Sequence, residues 1–130
     1  MRLIHDYLPH NYPNNCVVYT GTHDNDTVNG WIPAMSRKDL AFAKKYLDVR
    51  RNADICERLI RTALGCVADT AVIPMQDYLE LGAEARINTP STLGGNWEWR
   101  IESDACTQEL SEHMLELAQI YGRNPKTKKK

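Results

Sequence analysis

The chain lacks several features that would assign it to a class at once, and each absence narrows the reading. No stretch approaches the roughly 18 uninterrupted apolar residues of a spanning helix, and Met1 to Asp6 carries no apolar core of a signal peptide. A cytoplasmic location is therefore expected, with no membrane partner. No C-x-x-C pair occurs: Cys16, Cys56, Cys66 and Cys106 are widely spaced and read as reduced, small hydrophobic residues rather than zinc or redox ligands. Nor is there an excess of one charge. With 16 basic and 17 acidic residues, net charge −1, and no basic run before the last few positions, nucleic acid is not an expected partner. Low hydrophobicity is absent too, since 42% of the 130 residues are hydrophobic, which excludes disorder. The length suits one ordinary domain, or about half of a (β/α)8 barrel, which needs about 250 residues.

What is present reads as strand, helices, strand, helix. After an irregular entry rich in Pro and Asn, residues 16–20 form a short β-branched apolar run, the pattern of a strand buried on both faces. Ser36 and Asp39 have capping-box spacing ahead of Leu40, Ala43 and Leu47, which predicts a helix ending near Asp48. Cys56, Leu59, Ile60, Ala63, Leu64 and Val67 recur at helical spacing and predict a second helix over 52–68, with Asn52 as its cap. Residues 70–75 read as a second strand with Pro74 near its end. A helical turn over 78–81 stops at Gly82, and a long connection follows over 83–101. A last helix over 104–121, capped by Ser103 and stopped by Gly122, precedes a Lys-rich tail at 123–130. The connections are long enough for parallel crossovers, so the expected class is α/β.

Both strands end in polar clusters, and parallel α/β sheets bind ligands at that edge. His23-Asp24 and Gln76-Asp77 are thus expected to be neighbours in space, although each cluster is also a good turn former. Asp24-x-Asp26 opens like a calcium loop, but Val28, Asn29 and Met35 stand where a ligand, Gly and Glu are required. A hard metal on His23, Asp24 and Asp26 lacks support from the other histidines, His5, His10 and His113, so neither metal nor cofactor is expected. Asn25-Asp26-Thr27 matches a glycosylation sequon that carries little weight without a secretory signal. Trp97 and Trp99, flanked by Asn96 and Arg100, offer indole faces for a sugar ring or anchors for the long loop; on extended chain they lie on one side.

Five segments in order resemble motifs of the 4-alpha-glucanotransferase family, also known as amylomaltase or disproportionating enzyme. They are residues 8–12 (LPHNY), 17–27 (VVYTGTHDNDT), 73–77 (IPMQD), 84–88 (EARIN) and 95–100 (GNWEWR). The resemblance implies an alpha-amylase-like (β/α)8 barrel and retaining transfer of alpha-1,4-glucan segments between maltooligosaccharides. It makes residues 1–122 the C-terminal part of that barrel, with residues 16–22 as strand seven and 71–76 as strand eight. Asp24 becomes the carboxylate that accepts from the 2- and 3-hydroxyls of the transferred sugar, with His23 donating to a neighbouring hydroxyl. Asn25, Asn88, Asn96 and Trp97 fall in groove-lining motifs and are expected to bind substrate. The residues alone allow Asp24 and Asp77 to pair as acid and nucleophile; the resemblance instead puts the nucleophilic Asp and the acid/base Glu before anything that matches Met1. Residues 1–6 fit the family poorly. The expectation is an inactive fragment of a transferase that keeps its sugar grip. The alternative is a non-catalytic half-barrel that binds maltooligosaccharide, self-associating through its open strand edges.

Overall fold

The computed structural model describes residues 8–124. Residues 1–7 and most of the tail, 125–130, lie outside the described residues. Two strands, β1 (Val17–Tyr19) and β2 (Thr70–Val72), pair in parallel with Val18 opposite Ala71. Between them run α1 (Val28–Trp31), a 3-10 turn at Ile32–Ala34, α2 (Arg37–Leu47) and α3 (Ile55–Gly65). After β2 come α4 (Met75–Tyr78), a 3-10 turn at Ala83–Ala85, the long connection, and α5 (Gln108–Ile120). This is the α/β class with a parallel crossover that the element order predicts.

The strands are shorter than expected and covered on one face. Val18 is 4% exposed and packs with Ala63 of α3, whereas Val17 and Tyr19 are 47% and 49% exposed. Period-two alternation puts Val17 and Tyr19 on the other face, which no element covers among the described residues. The expectation of burial on both faces is corrected accordingly. β2 ends at Val72 because Pro74 caps α4 instead of extending the strand.

Ser36 starts α2: its Oγ accepts from the Asp39 amide at 3.1 Å, and its hydroxyl donates to Asp39 Oδ2 at 2.8 Å. Asp39 thus closes the box on the Ser36 side chain. Asp48 ends the helix in the left-handed conformation, φ 55°. Asn52 does not cap the next helix. The Arg51 guanidinium grips Asp54 through two bonds, at 2.9 and 2.6 Å, beside a 3-10 turn at Asn52–Asp54, and α3 begins only at Ile55. That pair holds the Asp54 carboxyl below its usual range.

The core face of α3 is the apolar stripe read from the sequence. Ile55, Cys56, Ile60 and Leu64 meet Val28, Ile32, Leu47 and Leu117 of α5 in one buried cluster. Burial pushes the Cys56 thiol up to about 12, so it behaves as a small apolar filler. The helix stops at Gly65, three residues short of the expected end. Arg123 gathers the carbonyls that follow, donating to Leu64 (2.9 Å), Cys66 (3.1 Å) and Ala68 (2.8 Å). Expected in the tail, Arg123 instead ties the end of α5 to the α3–β2 connection. The start of α5 also differs: Thr107, not Ser103, accepts from the Leu110 amide at 3.1 Å. The apolar face begins at Leu110, and a cap at Ser103 would leave a full turn of helix with nothing to bury.

Candidate functional site

At the C-terminal edge of the strands, the loop after β1 and the segment after α4 enclose a cleft of about 530 Å³. Its floor is set by Asp77, 2% exposed in α4. Asp77 Oδ2 accepts from the Thr20 hydroxyl at 2.6 Å, and Oδ1 accepts from the Val28 amide at 2.9 Å. Both oxygens are committed to joining the end of β1, the start of α1 and α4. Gln76 is buried alongside and donates to the Ala85 carbonyl at 3.3 Å, which holds the 3-10 turn against the floor. Gln76-Asp77 thus lies beside His23-Asp24, as the edge rule predicts, and serves as structure. Asp77 thus bonds within the fold through both oxygens, whereas Asp24 is half exposed.

The polar cluster of residues 21–27 divides into shapers and presented groups. Asn25 Oδ1 accepts from the Thr22 amide at 2.8 Å and from its hydroxyl at 2.9 Å, closing a tight turn. Asp26 Oδ1 accepts from the Thr27 amide, and Thr27 caps α1 by accepting from the Gly30 amide at 3.0 Å. His23 and Asp24 remain about half exposed, with His23 Nε2 3.3 Å from Asp24 Oδ1. No group of three or more His, Cys, Asp or Glu suited to hold a metal ion occurs among the described residues, so His23, Asp24 and Asp26 do not assemble into one.

From the other side come two of the groove motifs. Asn88 Nδ2 donates to Asp24 Oδ1 at 2.7 Å, a contact across 64 residues of chain. Arg86 donates from Nη2 to the Asp24 carbonyl at 2.7 Å and from Nε to the Asn88 carbonyl at 2.8 Å. Trp97 reaches the same place, its ring centroid 5.2 Å from that of His23 and tilted by 35°. Its backbone is left-handed, φ 63°, with its amide donating to the Ile87 carbonyl at 2.7 Å. A bulky residue adopts this conformation only where its surroundings hold it there. Asn96 supplies part of that hold: Oδ1 accepts from the Thr89 amide (2.8 Å) and Nδ2 donates to Thr92 Oγ1 (2.9 Å).

The left-handed turn also breaks the extended alternation expected of the two indoles. Trp97 is exposed beside His23, while Trp99 is half buried. Of the expected substrate-binding residues, His23, Asp24, Asn88 and Trp97 converge. Asn25 and Asn96 lie next to them with side chains engaged in their own loops. The sequence places Arg86 in the 84–88 motif and Asp77 at the strand edge without indicating the roles of either: the clamp made by Arg86 and the structural bonds of Asp77 have no local signal.

The described residues form a parallel α/β crossover with a polar cleft at its carboxyl edge. The profile of the 4-alpha-glucanotransferase family matches residues 2–107, and the chain belongs to that family. The matched span takes in residues 2–6, which are expected to fit the family poorly. The chain is 48% identical over 118 residues to the 4-alpha-glucanotransferase of Clostridium butyricum, covering 90% of this chain and 24% of that protein. It is 46% identical over 120 residues to a chloroplastic/amyloplastic 4-alpha-glucanotransferase of Arabidopsis thaliana, covering 21% of it. Among solved structures it is similar to the amylomaltase from Streptococcus agalactiae in complex with acarbose, with a TM-score of 0.86 and 36% identity over 92% of this chain. The chain spans about a quarter of the length of the relatives it matches.

Proposed function

We propose that this chain forms the glucan grip of a retaining 4-alpha-glucanotransferase, residues 1–122 being the C-terminal part of its (β/α)8 barrel with β1 and β2 as strands seven and eight. The carrying observation is the convergence of three separate segments: Asn88 bonds Asp24 and Trp97 lies against His23, both of which line the cleft. The acarbose complex of the Streptococcus agalactiae amylomaltase supports an alpha-glucan ligand. In this reading Asp24 accepts a hydroxyl of the transferred ring, and that bond strengthens as the ring flattens and positive charge develops at the anomeric carbon. His23 donates to the adjacent hydroxyl. Trp97 covers an apolar ring face, and Asn96 and Asn25 hold the loops that present these groups. The cytoplasm is the proposed compartment, and residues 123–130 are the proposed tail that follows the barrel part in the sequence.

Retaining transfer needs two further carboxylates facing each other about 5–5.5 Å apart. The cleft's other carboxylates are Asp26 and Asp77, and both accept from backbone amides. The pure 130-residue chain is therefore expected to leave maltotriose unchanged, with neither glucose nor longer oligosaccharides appearing on chromatography. Transfer is expected when it is mixed with the Clostridium butyricum relative lacking its matched segment. In that mixture Asp24→Ala is expected to reduce the rate about a hundred- to a thousandfold, for the loss of several kcal/mol of transition-state bonding. Turnover by the pure chain, or an Asp24→Ala mixture as fast as the original, contradicts the proposal.

The uncovered strand face, with Val17, Tyr19 and Val72 each more than 40% exposed, supports self-association as part of this proposal. A sedimentation coefficient that rises with chain concentration is expected; one that stays at the monomer value contradicts it.

A further inference from the structure

Arg86 joins the two halves of the cleft through one planar group. Its guanidinium spans the carbonyls of Asp24 and Asn88, at 2.7 and 2.8 Å, and so clamps the loop after β1 to the segment after α4. Beyond that clamp, the two side chains meet: the Asn88 amide donates to Oδ1 of Asp24 at 2.7 Å. His23 Nε2 lies 3.3 Å from the same oxygen. Oδ1 thus carries the Asn88 bond and faces the His23 ring. No hydrogen bond within the described residues engages Oδ2.

We propose that Arg86 is the positioning residue of the grip: by tying the Asp24 and Asn88 backbones together it holds the Asn88 amide on Oδ1 and reserves Oδ2 of Asp24 for a ring hydroxyl of the glucan. The inference rests on the glucan reading above and names the atom that meets the sugar. It also changes the expected contact. With Oδ1 held by the Asn88 amide, Asp24 takes one hydroxyl of a vicinal pair on Oδ2, and the second hydroxyl turns to His23. Lysine in place of Arg86 keeps the charge, but its three donors sit on a single nitrogen and cannot hold two separated carbonyls in a fixed fork.

The test compares the wild-type chain with Arg86→Lys, Arg86→Gln, Asn88→Ala and the Arg86→Lys/Asn88→Ala double variant, each first shown by circular dichroism to be folded. Maltoheptaose affinity is read by titration, and the Asn88 side-chain amide by its proton–nitrogen correlation signals. Arg86→Lys is expected to move the Asn88 amide signals towards those of a free side chain and to weaken maltoheptaose binding about tenfold, the equivalent of one hydrogen bond. Its effect is expected to overlap that of Asn88→Ala, so that the double variant is barely weaker than either single one. Unchanged Asn88 signals in both Arg86 variants, or losses that add in full, overturn the proposal. Absence of maltoheptaose binding by the wild-type chain, with Asn88 signals that still depend on Arg86, contradicts the glucan reading and leaves the clamp standing.

Discussion

Replacing Asp77 with Ala is expected to destabilise the fold by about 3 kcal/mol, the largest loss foreseen for any single polar side chain. Its carboxylate is 2% exposed, and each oxygen accepts one short bond, from the Thr20 hydroxyl and the Val28 amide. Bonds to a charged acceptor contribute about 1.5–3 kcal/mol each, and their removal leaves two donors unpartnered in the interior. A domain's total stability is only about 5–15 kcal/mol, so a fraction of Asp77→Ala molecules unfolds at 37 °C. Asp77→Asn keeps the volume and one acceptor but turns an NH2 towards the other donor, and about half the loss is expected. Urea unfolding followed by circular dichroism separates the cases. A shift below about 1 kcal/mol for Asp77→Ala contradicts the assignment of Asp77 to structure.

Gly30→Ala is expected to cost about 2–3 kcal/mol by overpacking. A Cβ there runs into the Asp26 carboxylate and lies 2.8 Å from the Ala83 backbone nitrogen, so α1 and the 3-10 turn must part. Asp26 and Ala83 flank the two segments that carry Asp24 and Arg86. The variant should therefore speed amide exchange over residues 83–88 as well as lower the unfolding midpoint. Gly94→Ala gives the contrast: nothing lies within 4 Å of its Cβ, and only the left-handed backbone, φ 79°, resists substitution, at about 1 kcal/mol. Equal effects at the two positions contradict the close packing of α1 on the turn.

The features legible in the sequence are those that short-range physics determines. The apolar period of α3, the Ser36 box before α2 and the parallel order of the strands all follow from spacing. Caps were harder to read, because several residues qualify at each helix start and tertiary contacts choose among them. Thr107 is selected over Ser103 by where the face of α5 begins, and Asn52 loses its place to the Arg51–Asp54 pair. How many faces of the strands are covered is not legible in the sequence, since β-branched runs look alike whether one face or both are covered.

At the site, His23 and Asp24 stood out by charge density alone. Their link to Asn88 spans 64 residues and has no local signature; the family motifs brought it within reach. Arg86 escaped because its bonds go to backbone carbonyls, which every residue carries. The turn at Trp97 escaped because a left-handed tryptophan is disfavoured by its own sterics and is held by Asn96 and the Ile87 carbonyl.

The most direct measurement of the central claim is a maltoheptaose titration of the 130-residue chain, followed residue by residue in proton–nitrogen spectra. Millimolar binding is expected for a grip lacking the rest of its groove, about 4 kcal/mol, with shifts concentrated at His23, Asp24, Asn88 and the Trp97 indole. Asp24→Ala should abolish them while leaving the remaining spectrum in place. Shifts centred elsewhere, or a response that survives Asp24→Ala unchanged, contradict the account.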